Sequence, residues 1–458
     1  MPTTVGELTT RRKYLVLATC CLSLLIVSMD STIVNVAIPA IRGDLDAPMS
    51  RLQWIIDIYT LTLASLMMLS GAAADRIGRR HVFRIGLATF AVGSLLCSLA
   101  PTVETLIGAR FLQAIGGCML NPVAMSIITQ VFTGRVERAR AIGVWGAVVG
   151  ISMALGPTVG GVLIDAFGWR AVFWINLPIC AVALILTTFF VPESKSSTVR
   201  GVDPIGQALA IGVLFAAVFG LVEGQPILFA PAVIGLVIFV RYESRRVDPF
   251  IDPRFFRSVP FASATVIAVF AFTALGAFLF TCSLYLQNVR HYSAVHTGLL
   301  YLAMAGAMMI FSPLSGRLIG RYGTKLPLVA AGVLLSGAAL LLTRLGPDTP
   351  VWQLVVTFAI FGMGFGLVNA PITNSAVNGM PQERTGAASA LASTSRQVGV
   401  SIGVALSGVL LGADLWWLIA GLTLGIVILG FVSNTQWALR SRDRVAPLLE
   451  QKVATHAG

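Results

Sequence analysis

Gly71–Arg80 reads "GAAADRIGRR", and 245 residues further on Gly316–Lys325 reads "GRLIGRYGTK". Gly71 matches Gly316, Arg76 matches Arg321, Gly78 matches Gly323 and Arg80 matches Lys325. A short basic loop that recurs at such a distance marks a chain built from two related halves. Each copy follows the second apolar run of a block of six. The blocks cover residues 14–191 and 260–437, a six-helix bundle each. Between them, 192–259 carries two more apolar runs, about 204–222 and 227–241, which have no repeat partner and read as an inserted helical pair. Residues 1–13 and 438–458 remain as tails. A membrane span needs about 20 apolar residues. The expected fold is therefore an all-α polytopic membrane protein with fourteen spans.

Composition agrees with this reading. The chain has 458 residues, 56% hydrophobic and only 11% charged, with mean hydropathy +0.85. Soluble domains carry about 25% charged residues. The net charge of +12 would suggest nucleic acid in a soluble protein. Here the basic residues sit scattered in short loops, which excludes a nucleic-acid face. With both termini inside, 25 of the 32 lysines and arginines fall on the inner side, five fall outside, and Arg110 and Arg396 lie within spans. That bias is the expected one for cytoplasmic loops. The first run, about 14–38, is longer than a signal-peptide core and reads as the first span.

Several chemistries are missing. The six cysteines lie in apolar runs and read as small hydrophobes, not as a disulfide framework. The four histidines form no cluster with cysteine or acid, so no metal site is expected. There is no G-x-x-x-x-G-K-[ST] sequence for a nucleotide and no Ser/His/Asp set, so neither an ATP-driven pump nor an enzyme is expected, and no cofactor.

The motifs that remain are conformational. In the first loop Gly71 and Gly78 permit a tight turn and close backbone approach, Asp75 can cap or pair with an arginine, and Arg76, Arg79 and Arg80 are basic. "GISMALGPTVGG", Gly150–Gly161, puts Pro157 inside a span, with Gly156, Gly160 and Gly161 leaving room for a close neighbouring helix. "RFLQAIGG" opens the fourth span, with Arg110 and Gln113 on one helical face.

The carboxylates are more telling. Only Asp30 and Asp57 lie well inside spans. At 1.5 Å per residue Asp30 is about 12 Å below the outer boundary, and Asp57 and Arg110 are about 9 Å below it. A carboxylate there costs several kcal/mol and marks function by default. One arginine neutralises only one of two acids, so the other keeps an affinity for a proton. Asp30 and Asp57 are read as sharing proton binding, with Arg110 modulating it. Asp30 is favoured as the carrier, and Asp57 as an alternative substrate contact. Candidate cavity residues are Asn35, Tyr59, Gln113, Asn121, Trp145, Phe278, Asn369, Asn374 and Arg396, since transporter sites lie near the midplane. Arg396 has no nearby acid in the second half.

Together "MDSTIVNVAIP", "GAAADRIGRR", "RFLQAIGG", "GPTVGG", "WRAVFWINLP" (Trp169–Pro178) and "RQVGVSIGVAL" (Arg396–Leu406) resemble the major facilitator superfamily, and within it the fourteen-span drug:proton antiporters. The resemblance spans about residues 14–437. It implies a monomeric plasma-membrane (inner-membrane) exporter of amphipathic or cationic drugs that alternates access and exchanges them for protons. The second loop copy departs from the pattern, with Gly320 where the first has Asp75. Export of an endogenous metabolite or lipid, or a non-transporting sensor or scaffold, remain alternatives. Transport under an imposed pH gradient separates the last from the others.

Overall fold

The computed structural model describes residues 9–194, 203–225, 227, 229–246, 253–377, 385–410 and 412–454, and among these it contains only helices. The loop basics Lys195, Arg200 and Arg384 lie outside the described residues. In chain order the helices are α1 (Thr10–Leu45), α2 (Met49–Ile77), α3 (Arg79–Ser98), α4 (Val103–Val131), α5 (Arg135–Phe167), α6 (Ala171–Trp174) and α7 (Asn176–Phe190). Then come α8 (Pro204–Val222), α9 (Phe229–Arg245), α10 (Val259–Leu284), α11 (Ala294–Tyr322), α12 (Lys325–Leu342), α13 (Val351–Val377), α14 (Thr385–Val409), α15 (Ala413–Val432) and α16 (Gln436–Ala454). Each expected span coincides with one of these, or with the broken pair α6–α7. By length and apolarity, and among the described residues alone, ten spans can cross a membrane, or eleven if the bent α2 counts as one. α9 has only 17 residues. Helix α16 lies where the sequence suggested a plain tail.

The chain divides into two units, 1–202 with 282–302, and 203–281 with 303–458. The repeat ended the first bundle at 191 and began the second at 260, so it put 282–302 with the second bundle. Local bonds explain the difference. The Asp165 carboxylate accepts the backbone N–H groups of Ala294 and Val295, each at 3.2 Å, and the Thr158 hydroxyl donates to Gly298 O at 3.0 Å. Gln287 Nε2 donates to Val36 O at 2.9 Å. These satisfy the open N-terminus of α11 and tie 282–302 into the first unit.

In the first unit glycines set the helix spacing. A Cβ at Gly93 would lie 2.5 Å from the Gln113 backbone, and one at Gly116 would lie 2.7 Å from Gly86 O and Phe90 Cα. α3 and α4 therefore touch backbone to backbone, as small residues allow between membrane helices. α5 packs on α1 in the same way. Gly156 sits against Thr32 and Met29 O, and a Cβ at Gly160 would lie 2.5 Å from Ile33 Cγ1. The "GPTVGG" motif thus presses on the turn of α1 that carries Asp30. α5 continues through Pro157 as one α-helix; the surroundings of Gly150 lie outside the described residues.

In the second unit the inserted helices α8 and α9 form a hairpin, and α8 also packs along α14. Asp203 caps α8 through Gly206 N at 2.9 Å and accepts from Tyr242 Oη at 3.1 Å and Arg246 Nε at 3.2 Å. α12 and α15 are joined by Ser336, whose hydroxyl lies 2.9 Å from Thr423 Oγ1. Phe278 stacks on Phe361 at 4.1 Å and meets Phe358 edge-on at 4.7 Å.

At the end of α1, Asp44 accepts from Trp169 Nε1 at 3.0 Å and Arg170 Nη1 at 2.7 Å. The Trp169 bond first, and then Arg170, hold its carboxyl below the ordinary carboxylate range. A lowered carboxyl contributes stability above its unfolded-state range, and loses it as pH falls through the lowered value. The pair is half exposed, so the effect is small. Asp44→Asn is expected to lower the melting midpoint in detergent by about 1 °C at pH 7. The gap should close as pH falls through that lowered value, where both proteins lack that charge.

Candidate functional site

The first unit brings five helices to one buried point. α1 supplies Asp30, α4 supplies Arg110 and Gln113, α3 supplies Ser94, α7 supplies Asn176, and α2 supplies Tyr59 and the carbonyl of Ile55. All six side chains are buried, with Arg110 1% exposed and the others at 0%. Position follows from helical spacing: Arg110 and Gln113, three apart, share a face of α4.

Arg110 Nη1 is ion-paired to Asp30 Oδ2 and also donates to Gln113 Oε1 at 2.6 Å. Its Nε donates to Ile55 O at 3.2 Å, and its guanidinium lies 4.0 Å from the centre of the Tyr59 ring and 5.8 Å from that of Phe173. Asp30 Oδ1 accepts from Gln113 Nε2 at 2.9 Å and Asn176 Nδ2 at 3.0 Å. The same two amides donate to Ser94 Oγ, at 2.7 and 3.3 Å. Asp30 is thus a carboxylate held by one cation and two amides. Asp57 is fully buried on α2, two residues beyond Ile55, with its backbone carbonyl accepting from Thr60 Oγ1 at 3.2 Å.

Protonated Asp30 would need an acceptor for its new O–H. Asn176 Oδ1 is buried with no hydrogen-bond partner among the described residues. A half-turn of that amide offers Oδ1 where Nδ2 now donates, since amide nitrogen and oxygen are interchangeable in shape.

The "GAAADRIGRR" loop is built around its own charges. Arg79 Nη2 pairs with Asp75 Oδ1 at 2.9 Å, and Arg80 Nη2 donates to Thr188 O near the end of α7 at 2.8 Å. Gly78 has φ 122°, a conformation side chains avoid, and a Cβ there would lie 2.6 Å from Glu193 Oε1. Gly71 is different. A Cβ there would meet only Pro122, at an ordinary 3.9 Å, so the close approach expected at this residue is absent. Arg76, at the end of α2, is exposed.

The other cavity candidates do not gather at this site. Asn35 turns its amide back to Ser31 O and Thr32 O of its own helix, at 3.2 and 3.4 Å. Asn121 and Trp145 are half-buried in the first unit. Phe278 lies in the aromatic core of the second unit rather than on a wall. Asn369 is half-buried and Asn374 exposed on α13, and Arg396 is half-buried on α14. Sequence reasoning missed Ser94 and Asn176. Asn176 was visible as a polar residue inside "WRAVFWINLP", and Ser94 gave no signal beyond its small size.

Comparison with known proteins fits this geometry. The family model of the Major Facilitator Superfamily matches residues 20–404. The chain belongs to this superfamily. Its members are transporters rather than enzymes, and the chain is accordingly a multi-pass plasma-membrane protein. Among relatives, Multidrug resistance protein Stp of Mycobacterium tuberculosis is 35% identical, over 90% of this chain and 78% of its own. The Tetracenomycin C resistance and export protein of Streptomyces glaucescens is 34% identical, over 92% of this chain and 78% of its own. A crystal structure of a peptide transporter, POT, matches with TM-score 0.68 over 94% of this chain and 95% of that one, at 15% identity. That likeness carries the superfamily fold and no more.

Proposed function

We propose that this superfamily member is a proton-coupled antiporter that exports amphipathic or cationic drugs or antibiotics by alternating access. It has fourteen spans in this reading, both termini are cytoplasmic, and it works as a monomer. The observation that carries the reading is Asp30, an acid buried among five helices with one cation and a free amide acceptor beside it. Asp30 takes the proton, Arg110 holds the empty carboxylate, and Asp57 shares the proton or meets the substrate. The inner-side charge bias supports the orientation. The printed names of the relatives support the substrate class.

Asp30→Asn keeps the shape and most hydrogen bonds of the site but cannot carry a proton. In everted vesicles, compared at equal amounts of inserted protein, it is expected to lose export driven by a pH gradient by about tenfold or more, the usual scale for loss of a positioned proton-transfer group. An uncoupler should reduce wild-type export to the same level. Normal gradient-driven export by both Asp30→Asn and Asp57→Asn would sink the proposal.

A further inference from the structure

Helix α14 lies on α10 along a seam of glycines. A Cβ at Gly399 would lie 2.6 Å from Val269 O and 2.9 Å from Phe272 Cβ, and one at Gly403 would lie 2.7 Å from Ala277 N. From the other side, a Cβ at Gly276 would lie 3.0 Å from Val400 Cα. With no side chains between the two backbones, Arg396 emerges one turn before Gly399, directly beside Phe272. Its guanidinium carbon is 5.9 Å from the Phe272 ring centre. On the α13 side its Nη2 donates to Thr373 Oγ1 at 2.5 Å, and that hydroxyl donates in turn to Asn369 O at 3.3 Å.

These contacts are all neutral. No acid pairs with Arg396 among the described residues, whereas Arg110 has a carboxylate, an amide and a carbonyl. Arg396 Nε is buried without a hydrogen-bond partner, and so are Asn369 Oδ1 and Thr273 Oγ1 on the two flanking helices. A guanidinium keeps its charge and presents a planar fork suited to two oxygens of one anionic group. An intramembrane cation with no acid beside it among the described residues is costly, and points to a counter-charge that arrives with a ligand.

We propose that Arg396 is the subsite for an anionic oxygen group, a carboxylate or ionised phenol, of the exported compound, with the Phe272 ring against its apolar body. Thr273 and Asn369 bind neighbouring polar atoms of the same molecule. This rests on the export reading above and narrows its substrates to amphipathic compounds that carry an acidic oxygen, cationic groups elsewhere being allowed.

The test uses two probes on the full-length protein, fluorescein, which carries carboxylate and phenolate, and ethidium, a fixed cation without either. Arg396→Gln is expected to weaken saturable fluorescein binding by purified protein, and its export from vesicles, by about ten- to a hundredfold, the scale of a lost hydrogen-bonded charge contact. Arg396→Lys should recover part of the loss, and ethidium export should stay within about twofold. An equal fall for both probes would assign Arg396 a structural role, and unchanged fluorescein binding would remove the subsite; either overturns the proposal. If added phosphatidylglycerol displaces fluorescein from the wild type but not from Arg396→Gln, the anionic oxygen is a lipid phosphate and the substrate assignment falls. If the wild type binds fluorescein through Arg396 yet exports neither probe, the export reading fails while the subsite stands.

Discussion

Arg110→Ala is expected to yield little folded protein, and what survives should melt far below the wild type. The substitution leaves Asp30 as a buried charge without its cation, a loss of about 3–5 kcal/mol. It also takes the donors from Ile55 O and Gln113 Oε1, and removes the cation packed on Tyr59. A domain has a net stability of roughly 5–15 kcal/mol, so this one change removes a large share of it. Arg110→Met with Asp30→Leu should restore much of the melting midpoint, because two apolar groups of similar volume leave no charge uncompensated. The double variant should still fail to export. Thermal unfolding in detergent and the yield of membrane-inserted protein measure both effects; a single Arg110→Ala variant that melts with the wild type would refute the account of the pair.

The second large effect is expected at Gly116. A valine there pushes its side chain into the backbone of α3 at Phe90 and Gly86, where nothing can swing aside. The two helices must separate, and the 2.7 Å bond between Gln113 and Ser94 stretches with them. Overpacking of a close-packed interior costs about 1–3 kcal/mol, and here the disturbance reaches Asp30 through Gln113. Gly116→Val should therefore lose both yield and gradient-driven export. Gly108 is the control on the same helix, because a Cβ there meets nothing within 4 Å. Gly108→Val should retain wild-type yield and export, and parity between the two variants would contradict the backbone seam.

The fold was legible because a membrane allows few solutions. A backbone in lipid must bond to itself, so each long apolar run becomes a helix whatever its exact composition. The loop repeat then divided the runs into halves. What stayed hidden depends on contacts between distant residues. Residues 282–302 join the first unit through the Asp165 carboxylate and the Gly298 carbonyl, and neither bond leaves a periodic trace in the sequence. Asp30 and Arg110 announced themselves because charge is rare and costly in a span. Asn176 and Ser94 did not, since amides and hydroxyls also serve ordinary helix packing. Depth matching grouped Asp30, Asp57 and Arg110, but depth alone cannot say which acid the arginine takes. The geometry gives that place to Asp30.

The Asp30–Arg110 pair also has an electrical consequence. As long as it is closed, the pair is neutral, and the membrane potential does no net work on it when the helices move. Under the proposed exchange, a proton on Asp30 leaves the positive charge of Arg110 uncompensated. The loaded site then responds to voltage, by up to about 2.3 kcal/mol per 100 mV if it crosses the whole field. Proton occupancy would thus decide whether this part of the protein is driven by the potential or ignores it.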